Sequence, residues 1–202
     1  ALADWRKRCI ITVDSSISAY CGKGFPGFSS FVDSRGGIWL WSTIGTWHYD
    51  ARSHSWNPIK NILVRGVAED SDHRILMATD HNGLVIADLS GKIITHILNN
   101  PSDGQSLPDN TLQSIYVDSL GVVWIGMYRM GLAYFYHGQT RFPLLPWGDI
   151  CTMTQTLDGN VWFGTNDSGF GRAAGLTGSV SMFDQRQTGL GSNVVVSSLA
   201  AR

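Results

Sequence analysis

Asp109-Asn110-Thr111-Leu112-Gln113-Ser114-Ile115-Tyr116-Val117-Asp118-Ser119-Leu120-Gly121-Val122-Val123-Trp124-Ile125-Gly126-Met127-Tyr128-Arg129-Met130-Gly131-Leu132-Ala133-Tyr134-Phe135-Tyr136 reads as three short strands with two turns. Residues 111–117 carry β-favouring bulk at Leu112 and from Ile115 to Val117. Asp118-Ser119-Leu120-Gly121 is turn chemistry, because aspartate bonds its own backbone and glycine supplies positive φ. Residues 122–127 form a second apolar run centred on Trp124; Gly131 breaks it, and 132–136 start a third strand.

The same pattern recurs along the chain. Asp118-Ser119, Trp124-Ile125-Gly126 and Gly131-Leu132 align without a gap on Asp70-Ser71, Leu76-Met77-Ala78 and Gly83-Leu84. They align on Asp33-Ser34, Trp39-Leu40-Trp41 and Gly45, one residue shorter before the last glycine. A fourth copy is Asp158-Gly159-Asn160-Val161-Trp162-Phe163-Gly164-Thr165 with Gly169, and 191–199 resembles the opening at 109–115. The anchors Trp39, Leu76, Trp124 and Trp162 stand roughly 40 residues apart, the period of a four-stranded propeller blade. The wider gap between Leu76 and Trp124 is taken up by a loop over 99–109.

Composition agrees with an all-β chain. Of 202 residues, 15% are charged and 23 are glycine, and helical periodicity is almost absent. A net charge of −1 without a Lys/Arg run leaves no electrostatic footprint for nucleic acid or an anionic membrane. No apolar run approaches the ~20 residues of a membrane span. The expected division is 1–28 as the end of a preceding blade or closing strands, blades over 29–60, 61–108, 109–146 and 147–190, and the first strand of a further blade over 191–202. That gives four to five blades of four antiparallel strands, read as part of a larger propeller. Residues 9–13 and 17–20 read as strands, 50–58 as a polar connection, and the glycine-rich excursion 169–178 has no assignment.

The run Asn99-Asn100-Pro101-Ser102-Asp103-Gly104-Gln105-Ser106-Leu107-Pro108-Asp109-Asn110, with Ser114-Ile115-Tyr116-Val117-Asp118-Ser119 and Trp124-Ile125-Gly126, closely resembles the two-component regulator propeller repeat. That repeat fills the periplasmic sensor region of bacterial, Bacteroides-type hybrid two-component histidine kinases. The resemblance runs from Phe28 onward and departs from the pattern at Leu76, Ala78 and 127–130. It implies a non-catalytic periplasmic sensor segment of an inner-membrane protein, an oligosaccharide ligand, a kinase outside this chain, and a parent that works as a dimer.

Physically, the repeated residues are structural: a large flat side chain fills the wedge between blades, and Asp33, Asp70, Asp118 and Asp158 form turns. Function belongs where the repeats differ. The loops after each second strand share a face with the crossings between blades. That face holds the ligand-binding candidates His81, Asn82, Tyr128, Arg129, Trp147 and Asn166, and the loop aromatic Trp56. Aromatic faces beside amides and charged groups suit a sugar's C–H patches and hydroxyls.

No catalytic, metal or cofactor site is expected. Gly-x-Ser-x-Gly, His-Glu-x-x-His and the P-loop pattern are absent, Cys9, Cys21 and Cys151 lack Cys-x-x-Cys spacing, and the six histidines do not cluster. Cys9 and Cys21 are either free thiols or a pair. Two other readings stay open. One is a streptogramin-lyase-like enzyme using His81, on the resemblance of 158–163 to that repeat. The other is a platform for protein interaction. Closure through 9–20 paired with 194–199, a homodimer, and blades supplied by the rest of the parent also remain open.

Overall fold

The computed structural model describes residues 27–136, 141–174 and 179–196, together with the backbone of Leu2–Asp4 and Cys9–Ile11. The last two are β1 and β2, an antiparallel pair. Four four-stranded antiparallel sheets follow. Blade 1 is β3 (Ser29–Val32), β4 (Ile38–Ser42), β5 (Gly45–Asp50) and β6 (Ser55–Ile59). Blade 2 is β7 (Val64–Glu69), β8 (Ile75–Thr79), β9 (Leu84–Ala87) and β10 (Ile93–Ile97). Blade 3 is β11 (Leu112–Val117), β12 (Val122–Met127), β13 (Gly131–Tyr136) and β14 (Leu144–Leu145). Blade 4 is β15 (Ile150–Gln155), β16 (Val161–Thr165), β17 (Phe170–Ala174) and β18 (Ser179–Phe183). Strands pair in chain order within each sheet, and first strands of successive sheets touch, so β3, β7, β11 and β15 run along the inside. The protein is an all-β stack of propeller blades.

Apolar clusters fill the three wedges between blades. Trp39 packs with Val64, Val67, Ile75 and Met77 between blades 1 and 2. Leu76 packs with Leu112, Ile115 and Ile125 between blades 2 and 3. Trp124 packs with Ile150, Val161 and Phe163 between blades 3 and 4. Each anchor faces the following blade. Trp39, Leu76 and Trp124 are fully buried, whereas Trp162 is only partly so. Among the described residues, only the segment around Val195 packs beyond it: a Cβ on Gly164 would come 2.3 Å from the Val195 carbonyl.

The repeated aspartate does more than turn the chain. Asp33 Oδ1 accepts from the backbone N–H of Arg35 and Gly37, and Oδ2 accepts from the Trp39 indole at 3.0 Å. Asp118 does the same for Leu120, Val122 and Trp124, again at 3.0 Å to the indole. The Leu76 side chain has no N–H to offer, and Arg74 takes Asp70 Oδ2 through Nε at 2.8 Å. In blade 4 the alignment needs a correction. Thr156 stands six residues before Trp162 and its hydroxyl accepts from the indole at 3.1 Å; Asp158 lies two residues further on and bonds Thr156 and Asn160. Gly36, His73, Gly121 and Gly159 hold positive φ at the same turn position.

Other readings also change. Residues 55–59, expected within a polar connection, form β6. Asp50 accepts from Arg52 N and Ser53 Oγ, each at 2.9 Å, and folds the chain back so that Trp56 pairs with Tyr49. Trp56 is therefore a strand residue, and Pro58 is tolerated because β6 is an edge strand. The glycine-rich excursion contains β17, with 175–178 outside the described residues. Cys9–Ile11 pairs with Leu2–Asp4, while 17–20, Cys21 and 197–199 lie outside the described residues, as does the question of a Cys9 to Cys21 pair. A one-turn helix, α1 (Gln185–Thr188), is capped by Asp184 and by Gly189 at φ 73°.

Candidate functional site

The turns β4–β5, β8–β9, β12–β13 and β16–β17 share a face with the crossings between blades. Threonine builds two of these turns. Thr79 donates its hydroxyl to the Gly83 carbonyl at 2.6 Å and accepts from Asn82 N at 3.1 Å. Thr165 donates to the Gly169 carbonyl and accepts from Ser168 N, both at 2.9 Å. In blade 3 Met127 replaces threonine, and the crossing supplies the support: Asp149 Oδ1 accepts from Arg129 N.

Asp149 ties three elements together, since its carbonyl also accepts from Asn166 N at 3.2 Å. The crossing passes so close to the β12–β13 turn that a Cβ on Gly131 would lie 2.5 Å from Trp147 N. Tyr128, Arg129, Trp147 and Asn166 are thereby brought together across blades 3 and 4. Tyr128 is 41% and Trp147 40% exposed. The Arg129 guanidinium stacks on the Tyr128 ring, 4.9 Å from its centroid.

His81 and Asn82 sit on blade 2 of the same face and bond within that blade. His81 Nδ1 and Arg65 both reach Asp80, each at 2.6 Å. Burial opposes ionisation of Asp80, but Arg65 and His81 hold its carboxyl below the usual range. His81 and Arg129 each stand two residues before the turn glycine, and both hold a left-handed backbone, φ 72° and 59°. Such conformations in bulky residues concentrate at functional sites.

Sequence reasoning passed over Asp149 as the hub and over the inner strands. Register shifts between Val64 and Gly66, Leu112 and Ser114, and Ile150 and Thr152 leave Arg65, Gln113 and Cys151 as bulged residues at the same level of three blades. Bulges re-aim side chains, and each arises from the pairing of two strands. Cys151 is a free thiol whose pKa is raised by burial and by Asp149 and Asp167. Clefts border two crossings: about 460 Å³ beside Trp47, Lys60 and Asn61, and about 510 Å³ between the 99–108 loop and 141–144. Among the described residues, no group of three or more His, Cys, Asp or Glu is arranged to hold a metal. No described helix is long and apolar enough to cross a membrane.

Residues 106–129 match the family model described as two component regulator propeller. Curated proteins give no match. Three solved structures share the fold. One, described as the extracellular domain of a hybrid two component system of B. thetaiotaomicron, has TM-score 0.66 and 23% identity over 78% of this chain and 23% of that one. Inactivated virginiamycin B lyase from Staphylococcus aureus has TM-score 0.61 and 16% identity over 76% of this chain and 54% of that one. PorZ, a surface component of the type-IX secretion system of Porphyromonas gingivalis, has TM-score 0.65 and 16% identity over 86% of this chain and 29% of that one. The chain spans about a quarter to a half of the length of these proteins. The stretch that matches the two-component regulator propeller model leads into blade 3 of a four-bladed run of β-propeller.

Proposed function

We propose that this chain is a non-catalytic, ligand-sensing segment of an extracytoplasmic propeller, that its ligand is an oligosaccharide, and that the signal passes to a histidine kinase outside this chain. The observation that carries the reading is the cluster held by Asp149: two exposed aromatic side chains, an arginine stacked on one of them, and an amide on the neighbouring blade. A sugar offers flat C–H surfaces to the aromatic rings and hydroxyls to the Arg129 and Asn166 side chains. The match of 106–129 to the two-component regulator repeat and the shared fold with a hybrid-system extracellular domain support the same assignment.

Sensing requires the ligand to bind two receptor states with different affinity. A site shared by two blades meets that need, because small shifts between blades change its geometry. The test is the double replacement Tyr128→Ala with Arg129→Ala in the parent receptor. The expected result is loss of glycan response at unchanged expression; an intact response removes both residues from the site.

A lyase has the same fold, and the contact of His81 with Asp80 gives that reading a base to test. Metal-dependent turnover abolished by His81→Ala would establish it in place of sensing.

A further inference from the structure

His48 lies on β5, fully buried between blades 1 and 2. It stacks on Trp39 with ring centroids 4.3 Å apart. Neither ring nitrogen has a hydrogen-bond partner. Buried polar groups are nearly always bonded, so an imidazole with both nitrogens idle calls for an explanation.

The surroundings supply one. From the β3–β4 turn, Asp33 Oδ2 stands 3.9 Å from Nε2. That oxygen is already taken by the Trp39 indole, and Oδ1 by two backbone N–H groups. From blade 2 the β9–β10 turn packs on the other side; a Cβ on Gly91 would lie 3.2 Å from Nδ1. That turn brings Asp88 and the Ser90 backbone, with Lys92 beside Asp88. Asp50 lies at the end of His48's own strand, and Arg35 and Arg52 line a cavity of about 90 Å³ that reaches the ring. That volume admits water, and hence a proton.

We infer that His48 is a proton-operated contact between blades 1 and 2: the neutral imidazole keeps the junction closed, and protonation loosens it. A charged ring here is fully buried, and the acceptors beside it, the Ser90 backbone and the Asp33 carboxylate, are not in hydrogen-bonding geometry with either ring nitrogen. Asp33 Oδ2, which already accepts from the Trp39 indole, must move in from 3.9 Å to bond it, and otherwise the charge must be hydrated by opening the turn of blade 2. Burial holds the imidazole's pKa below its ordinary value, against the pull of Asp33, Asp50, the Ser90 backbone and Asp88. The unfolded chain takes up this proton near pH 6.5 and the folded chain only at lower pH. Stability is therefore full above about pH 6.5 and is lost as the pH falls toward the folded value.

The experiment is unfolding of wild type and His48→Phe between pH 7.5 and 5.0, with the wild-type imidazole titrated by NMR. From pH 7.5 to 5.0 the wild-type folding constant is expected to fall by up to about thirty-fold more than that of the variant, the limit for one group. The His48 midpoint is expected below 6.5. Equal losses in the two proteins, or a midpoint at or above 6.5, would overturn the inference. If His48→Phe does not fold, His48→Gln takes its place, and the imidazole titration decides without any variant.

Discussion

Asp118 holds a turn and a buried indole with one carboxylate, so its removal leaves several donors unpaired at once. Asp118→Ala is expected to cost about 2–4 kcal/mol in urea unfolding, as loss of charged hydrogen bonds does. Asp158→Ala should leave the midpoint nearly unchanged, because Thr156 and not Asp158 reaches Trp162. A second residue-scale contact joins blades 1 and 2: Glu69 accepts from Ser34 N at 2.7 Å and from Ser34 Oγ at 2.5 Å. Burial opposes ionisation of Glu69, yet Ser34 and His73 hold its carboxyl below the usual value. Its stabilising effect is present above about pH 4.5 and is lost as pH falls through the lower folded value. Ser34→Ala should thus be less stable than wild type at pH 7 by about 1 kcal/mol, with the gap closing as the pH falls from about 4.5 toward the lower folded value. The turn aspartates were legible from their spacing to the next glycine. Their bond to the indole was not, since a six-residue interval does not say where a side chain points. In blade 4 the Asp-Gly pair at 158–159 drew the alignment two residues late, because a threonine hydroxyl does the carboxylate's work.

Gly131 and Gly121 separate two reasons for glycine in these blades. Both have positive φ, 99° and 79°, but a Cβ on Gly131 would lie 2.1 Å from the Leu145 carbonyl, whereas Gly121 has open space. Gly121→Ala is expected to cost about 1–2 kcal/mol from the left-handed backbone conformation alone. Gly131→Ala should cost more, because the crossing must also move, and it should disturb the Tyr128 and Trp147 cluster; urea unfolding of both variants measures the difference. Most strands could be read from alternation and turn residues, the second strands most easily, because they are buried on both faces. Strand β6 escaped notice because Ser-Trp-Asn-Pro-Ile has neither alternation nor a β-like composition. It exists through the Asp50 turn and its pairing with β5. The bulges at Arg65, Gln113 and Cys151 were hidden for a related reason: a bulge is a property of two strands together.

Across the whole molecule, three apolar wedges join four blades, and the anchor residue of each of the first three blades is completed by the next. The period of roughly 40 residues makes this architecture readable in the sequence. The candidate site was legible only as a face, because loops of several blades had to be superposed on one side of the array. What brings Tyr128, Arg129, Trp147 and Asn166 together is Asp149, whose two contacts span sequence separations that no local pattern reports. Asn193 extends the same logic past blade 4. Its carbonyl accepts from Gly169 N at 2.8 Å and its side chain from Gln185 N at 2.7 Å, as Asn110 does for Gly83 and Asn99. Residues 193–196 thus repeat the entry into an inner strand, which we propose belongs to a further blade.

The measurement that bears most directly on the account is thermal unfolding of the chain against a panel of plant and host oligosaccharides, alongside the Tyr128→Ala, Arg129→Ala double variant. A ligand at a hundred times its dissociation constant adds about 2.7 kcal/mol to stability. The melting temperature is expected to rise with one glycan, and that rise to be lost in the double variant. A cooperative melt that no glycan moves, or a shift that the double variant retains in full, would contradict it.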